Sequence, residues 1–242
     1  MSIKSHEKFG EVIEIMHRKE LDRVSDAMWA RRKHLKALGS MASLAAVPAI
    51  GLTGASARAQ ALEKTKVSIA VGGKASFYYL PLSIAEFKGF YKAEGLDVEI
   101  SDFAGGSRAL AAVVGGSADV VSGAYEHTIN LQQKGQMFQA FVLQGRAPQM
   151  AIGVSSKTMA GYKSVADLKG KKIGVSAPGS STNMMASFML ANAGLKASDV
   201  SFVGVGTGAG AVTALRSGQI DAISNVEPVM TMLQQSGDIR IV

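Results

Sequence analysis

The chain has 242 residues, 47% hydrophobic and 19% charged, with 26 Lys and Arg against 19 Asp and Glu for a formal net charge of +7. It contains no cysteine, which excludes disulfides, thiolate metal sites, a Cys nucleophile and lipid attachment through Cys. The charge is uneven: residues 1–61 hold 10 Lys/Arg against 6 Asp/Glu, and residues 62–242 hold 16 against 13, a net of +3 with scattered lysines. That is the pattern of a solvated surface, so no nucleic-acid partner is expected.

The N-terminal segment, 1–61, reads as an export address. Arg31-Arg32-Lys33-His34-Leu35-Lys36 opens an uncharged stretch from Ala37 to Ala57 that is interrupted by Pro48. Small residues follow, ending in Ala59-Gln60-Ala61. A basic region, an apolar region and small residues at the end form the layout of a cleavable signal. The Arg31-Arg32 pair resembles a twin-arginine signal, with His34 where an aromatic is commoner. Cleavage is expected after Ala61, with Ala59 as the second choice. An uncleaved anchor is the alternative, which Pro48 and the weakly apolar composition disfavour. The residues ahead of the signal are either a long leader or a sign that translation begins at Met28; the second reading is preferred.

From Thr65 onward, short apolar runs alternate with amphipathic stretches. Strands are expected at 67–71, 97–100, 119–121 and 139–143, and helices at 80–94 (stopped by Gly95), 107–114 and 127–134. A second set follows, with strands at 151–154, 171–175, 200–205 and 221–224 and helices at 182–193, 209–217 and 227–235. Residues 165–168 read as a short helical turn. Strands separated by helical patterns imply parallel β-α units in a layered α/β fold. The chain ends on an apolar strand from Ile239 to Val242, so a truncated chain is expected.

Four passages carry a resemblance. Pro81 to Val98, reading PLSIAEFKGFYKAEGLDV, resembles the P-x-x-x-A-x-x-x-G-F-F-x-x-E-G-L-D-V passage of one family. Its members are the periplasmic solute-binding proteins of nitrate, sulfonate and taurine ABC importers, with their thiamine-precursor-binding relatives. Gly116-Ser117-Ala118-Asp119-Val120, Asp167 to Val175, and Gly218-Gln219-Ile220-Asp221-Ala222 fit the same family in the same order. The resemblance implies a two-lobe α/β fold with mostly parallel sheets flanked by helices. Lobe 1 would be 62–146 and lobe 2 147–242, with the family's C-terminal return to lobe 1 missing. It also implies a monomer without cofactor that captures a small-molecule ligand and presents it to an inner-membrane ABC permease. Sulfonates, nitrate-like anions, carboxylates and aromatic precursors are all compatible with it.

In open α/β sheets, ligands sit beyond the carboxyl ends of strands, where helix N-termini present free N–H groups that suit anions. Three stretches fall at such points. Ser76, Phe77, Tyr78 and Tyr79 follow the first strand, and the aromatics can line a cleft or pack under the next helix. Gly106 and Ser107 precede a helix, where Ser107 can also serve as its cap. Gly179, Ser180, Ser181 and Thr182 place three hydroxyls at a helix start, more than capping needs, and form the preferred site. Ser122, Tyr125, Thr207 and Glu227 occupy equivalent loops, with Glu227 read as charge on a helix N-terminus or as an amine contact.

Two enzyme readings compete. Gly204-Val205-Gly206-Thr207-Gly208-Ala209 matches the dinucleotide fingerprint G-x-G-x-x-A, but the acidic residue Asp221 begins the next strand where the motif needs one at its end. Pyrimidine-synthesising relatives use clustered Cys and His; after residue 61 this chain has only His127, read as a surface or cap residue. No metal site, catalytic triad or acid/base pair is found, so no enzyme activity is expected.

Overall fold

A computed structural model describes residues 62–242. The twin-arginine pair, the apolar stretch, Met28 and both cleavage positions lie outside the described residues. No helix among the described residues is long and apolar enough to cross a membrane.

The first lobe is built on β1 (Lys66–Val71), β2 (Asp97–Asp102) and β3 (Val120–Ser122). These form a parallel sheet in the order β2-β1-β3. Alternate residues of a strand point to opposite faces, and β1 shows the consequence. Ala70 packs with Ala109, Ala112 and Ala118 beneath helix α3 (Gly106–Val114), while Ile69 and Val71 pack with Tyr79 on the other face.

The expected helix over 80–94 forms as two, α1 (Leu80–Phe87) and α2 (Phe90–Ala93). Between them Gly89 adopts φ +72°, a left-handed conformation that ends the first helix and that residues with a side chain seldom take. Helix α4 (Glu126–Gln133) completes the lobe.

The strand expected at 139–143 does not form. Phe141, Val142 and Leu143 are 76%, 70% and 73% exposed, and β3 pairs with β1 alone. An apolar, β-prone run becomes a strand only where a ladder satisfies its backbone, and no described strand offers one here.

The second lobe holds β4 (Met150–Ser155), β5 (Lys172–Val175), β6 (Ser201–Gly204), β7 (Ala222–Val226) and β8 (Ile239–Ile241) in the order β6-β5-β7-β4-β8. Its β5 pairs in parallel with β6 and β7, as the alternating pattern implies. In contrast, β4 runs antiparallel to both β7 and β8. It enters from the crossover out of lobe 1 rather than from a helix of its own lobe, so the βαβ rule does not fix its direction.

Helix α5 (Ser181–Asn192) covers one face through Ala186 and Leu190, packed on Ile152, Val154, Leu168, Ile173 and Val175. Helices α6 (Ala209–Arg216) and α7 (Val229–Gln235) cover the other with Leu215, Met230 and Leu233 against Ile220 and Ile223. At about 25 cal/mol per Å² of apolar surface removed from water, each fully buried Leu or Ile contributes roughly 1.5–3 kcal/mol. This lobe therefore has the larger hydrophobic core.

The two Gly-x-x-Asp passages perform one job twice. Asp119 accepts from Ser68 N (2.9 Å) and Ser68 Oγ (3.0 Å), while its own N–H donates to Ser68 O. Asp221 accepts from Lys172 N at 3.0 Å and donates to Lys172 O. Each carboxylate secures the neighbouring strand where its ladder begins, so both aspartates are structural and stand at the end of the sheet away from the ligand cleft.

Candidate functional site

A cleft with about 410 Å³ of empty space, partly open to solvent, lies between the lobes at the carboxyl ends of the strands. Lobe 1 contributes Ser76, Tyr78, Tyr79 and Gly106, and lobe 2 contributes Ser180, Ser181, Thr182 and Thr207.

The lobes touch around the cleft's edge. A Cβ on Gly105 would stand 2.9 Å from the Ala177 Cβ, and one on Gly73 would collide with the Thr207 side chain. Absent side chains at these two glycines let the backbones approach. Ser107 N donates to Ser180 Oγ at 3.1 Å, and Ser107 Oγ donates to Pro178 O at 2.9 Å. The two hydroxyl oxygens are 3.1 Å apart. Because the Ser107 proton is committed to Pro178, Ser180 is the donor between them. Phe77 N adds a bond to Glu227 O at 3.1 Å.

The three hydroxyls at the start of α5 have separate fates. Ser180 holds the N-cap position but its side chain caps no N–H of its own helix; it joins the lobes instead. Thr182 Oγ1 accepts from Ser176 N at 2.9 Å and pairs with Ser176 Oγ at 2.8 Å, which locks the turn after β5. Ser181, half-buried and on the cleft wall, has no hydrogen-bond partner among the described residues. Its hydroxyl and the α5 N-terminus form a donor group suited to an anion.

Across the cleft, Tyr79 OH accepts from Gly72 N at 3.1 Å, and no acceptor for its own proton occurs among the described residues. Burial pushes the Tyr79 phenol up to about 12, with Gly72 opposing, so it remains a neutral donor. Burial, and then the Glu126 carboxylate, raises Tyr78 as well. The two rings meet edge to face with centroids 5.0 Å apart.

Other expected site residues lie off the cleft wall. Phe77 is 59% and Tyr125 64% exposed, because both sit where a helical turn begins and face solvent. Ser122 Oγ is taken by Gln144 Oε1 at 2.7 Å, and Gln144 Nε2 donates to Tyr78 O. Gly179 N is held by Asn183 Oδ1. Glu227 Oε2 accepts from Thr231 N at 2.9 Å, the helix-terminus role rather than an amine contact. Ser107 is engaged with the opposite lobe.

Sequence reasoning missed Gly72, Pro148 and Met150, whereas Gly123, Ala124 and Val226 lie in the loops of the expected residues Ser122, Tyr125 and Glu227. Ser176, also missed, follows β5 just before the preferred hydroxyl loop, and that position was the available signal. His127, expected at the surface or as a cap, is buried at 5% exposure.

The dinucleotide fingerprint places Gly204 at the end of β6 and Gly208 ahead of α6. Asp221, the acid a ribose would need, is bound to Lys172 N instead. Among the described residues no three His, Cys, Asp or Glu cluster to hold a metal.

Two α/β lobes closing on a small, hydroxyl-lined cleft define the two-lobe periplasmic binding-protein fold. The chain belongs to the NMT1/THI5-like family, whose model matches residues 76–241. A solved Bordetella bronchiseptica RB50 protein is 73% identical with a TM-score of 0.75, covering 76% of this chain and 57% of that one. The alkanesulfonate-binding protein SsuA from Xanthomonas axonopodis pv. citri, solved bound to MOPS, is 27% identical with a TM-score of 0.60, covering 75% and 61%. A Brucella abortus (strain 2308) protein, provisionally named a binding protein, is 31% identical over 175 residues, 70% of this chain and 51% of the relative. The 4-amino-5-hydroxymethyl-2-methylpyrimidine phosphate synthase of Schizosaccharomyces pombe is 25% identical over 166 residues, 69% and 46%. The chain thus spans about half the length of the curated relatives it matches.

Proposed function

We propose that the chain is the extracytoplasmic solute-binding component of an ABC importer. It captures a small anionic solute between lobes 62–146 and 147–242 and presents it to a membrane permease. The observation that carries this reading is the free Ser181 hydroxyl at the N-terminus of α5, in a cleft that Thr207 and Tyr79 also line. Neutral donors and a helix N-terminus converge there without an acidic side chain on the wall, which favours a sulfonate, nitrate or carboxylate over a cation. The alkanesulfonate named for the Xanthomonas relative agrees with that chemistry. The Arg31-Arg32 leader supports delivery to the periplasm by the twin-arginine route.

Binding without reaction fits the residues better than catalysis. The chain has no cysteine, and the one histidine after residue 61 lies behind the cleft wall rather than on it. The test is a thermal-shift and calorimetric screen against nitrate, ethanesulfonate and short carboxylates. A melting-temperature rise with at least one anion, and none with NAD, is expected. No response to any anion together with turnover of a nucleotide or pyrimidine precursor overturns the reading.

A further inference from the structure

His127 is the described molecule's one buried histidine, and its Nε2 is sealed from solvent with no hydrogen-bond partner. A buried polar atom left unpaired costs about 1–3 kcal/mol, so its place in the fold calls for a physical reason. The imidazole lies directly behind the cleft wall. A Cβ on Gly106 would meet only His127 Nε2 within 4 Å, at 3.2 Å, and one on Gly123 would stand 3.6 Å from the ring's Cδ2. Both glycines line the cleft. No side chain therefore stands between the ring and the N-terminus of α3.

Few charges face this ring. On its own helix, the neighbouring Glu126 is the carboxylate whose field reaches it, and Glu126 Oε1 is itself buried without a partner. From α3 it meets Gly106 and from the loop after β3 it meets Gly123, neither with a side chain. Burial holds the imidazole below the ordinary histidine range, against the pull of Glu126. It is thus neutral near pH 7. Protonation would turn Nε2 into a charged donor behind Gly106.

We infer that His127 takes up a proton from solvent when the cleft captures an anion, Nε2 then supplying positive charge behind Gly106 at the N-terminus of α3. This inference rests on the anion reading proposed above and adds a proton to each capture event. Proton uptake and affinity are linked reciprocally. Affinity for an anion therefore rises as pH falls from the bound-state to the free-state midpoint of His127, and is flat above both. Each unit by which the anion raises the midpoint is worth about tenfold in affinity.

The imidazole resonances can be followed by NMR against pH in the mature chain, with His127→Gln identifying the signal. The titration is run without ligand and with saturating nitrate or ethanesulfonate, alongside calorimetry in two buffers of different protonation enthalpy. A free midpoint below the ordinary ~6.5 is expected, moving up by about one unit with anion. In parallel, affinity should be about tenfold higher at about pH 5 than at about pH 8. His127→Gln should bind with an affinity independent of pH. An unmoved midpoint while cleft resonances report a bound anion overturns this inference alone. Absence of binding by every anion at every pH overturns the anion reading and this inference with it.

Discussion

Ser180 Oγ lies 3.1 Å from both the backbone nitrogen and the hydroxyl oxygen of Ser107, on the opposite side of the ligand cleft. One side chain thus holds two lobes together at the start of the helices, α3 and α5, that aim at the ligand space. The contact between the lobes and the wall of the cleft are built from the same short loop.

Ser180→Ala removes both bonds and leaves the part-buried Ser107 N–H without an acceptor. The cost is about 1 kcal/mol, which in a domain of this size lowers the melting temperature by about 2–4 °C. Small-angle scattering should show a larger radius of gyration for the variant without ligand. An unchanged radius and melting temperature would show that other contacts hold the lobes shut.

Ser181 and Thr182 are adjacent hydroxyls with opposite expected phenotypes. Ser181→Ala should leave the melting temperature unchanged and weaken anion binding by about tenfold, the worth of one hydrogen bond to a charged group. Thr182→Ala deprives the buried Ser176 N of its acceptor and should lower stability by about 1–3 kcal/mol. Denaturant melts and calorimetry on the pair separate the two roles.

Asp119 titrates at about 2, pulled below its ordinary 3.8 first by Lys64 and then by the Ser68 backbone and hydroxyl. A depressed carboxylate stabilises the fold above its unfolded value and loses that contribution as pH falls through the folded one. Asp119→Asn should therefore be less stable than the parent near neutrality, and the gap should close between about pH 4 and pH 2. Parallel acid titrations followed by circular dichroism check this. A gap that persists at pH 2 would mean that the loss is steric.

The exposed run at Phe141, Val142 and Leu143 predicts self-association, since β-prone apolar segments without partners template pairing between chains. Val142→Lys should reduce light scattering at high concentration while changing stability by no more than about 0.5 kcal/mol, the usual limit for surface positions.

Much of lobe 2 was legible because its short apolar strands and longer helical stretches are separated by Gly stops, as at Gly194 before the turn that leads to β6. The interruption at Gly89 was less so, because apolar positions continue on both sides of it. Residues 139–143 satisfy every local criterion for a strand, and what they lack is a ladder partner, which local pattern does not encode. The direction of β4 was hidden for a similar reason: it depends on where the crossover delivers the chain.

In the site, hydroxyls at helix starts were readable from the α/β rule, whereas Pro148 and Met150 come from the segment that crosses into lobe 2, whose spatial position only the fold supplies. Burial of His127 was invisible too, since the ring lies against Gly106 from a loop remote in the sequence.

One face of the lobe 1 sheet is packed with alanines, at Ala70, Ala109, Ala112 and Ala118, and the other with only Ile69, Val71 and Tyr79 fully buried, whereas lobe 2 is packed with Leu, Ile and Met. Small side chains bury little apolar area, so the two halves form cooperative units of unequal strength. Backbone amides of β1 to β3 should exchange with solvent through partial opening well before those of β5 and β7. Anything captured between the lobes binds only when the weaker half is folded, so by mass action the solute acts as its chaperone. Occupancy and the integrity of the N-terminal half then become one equilibrium.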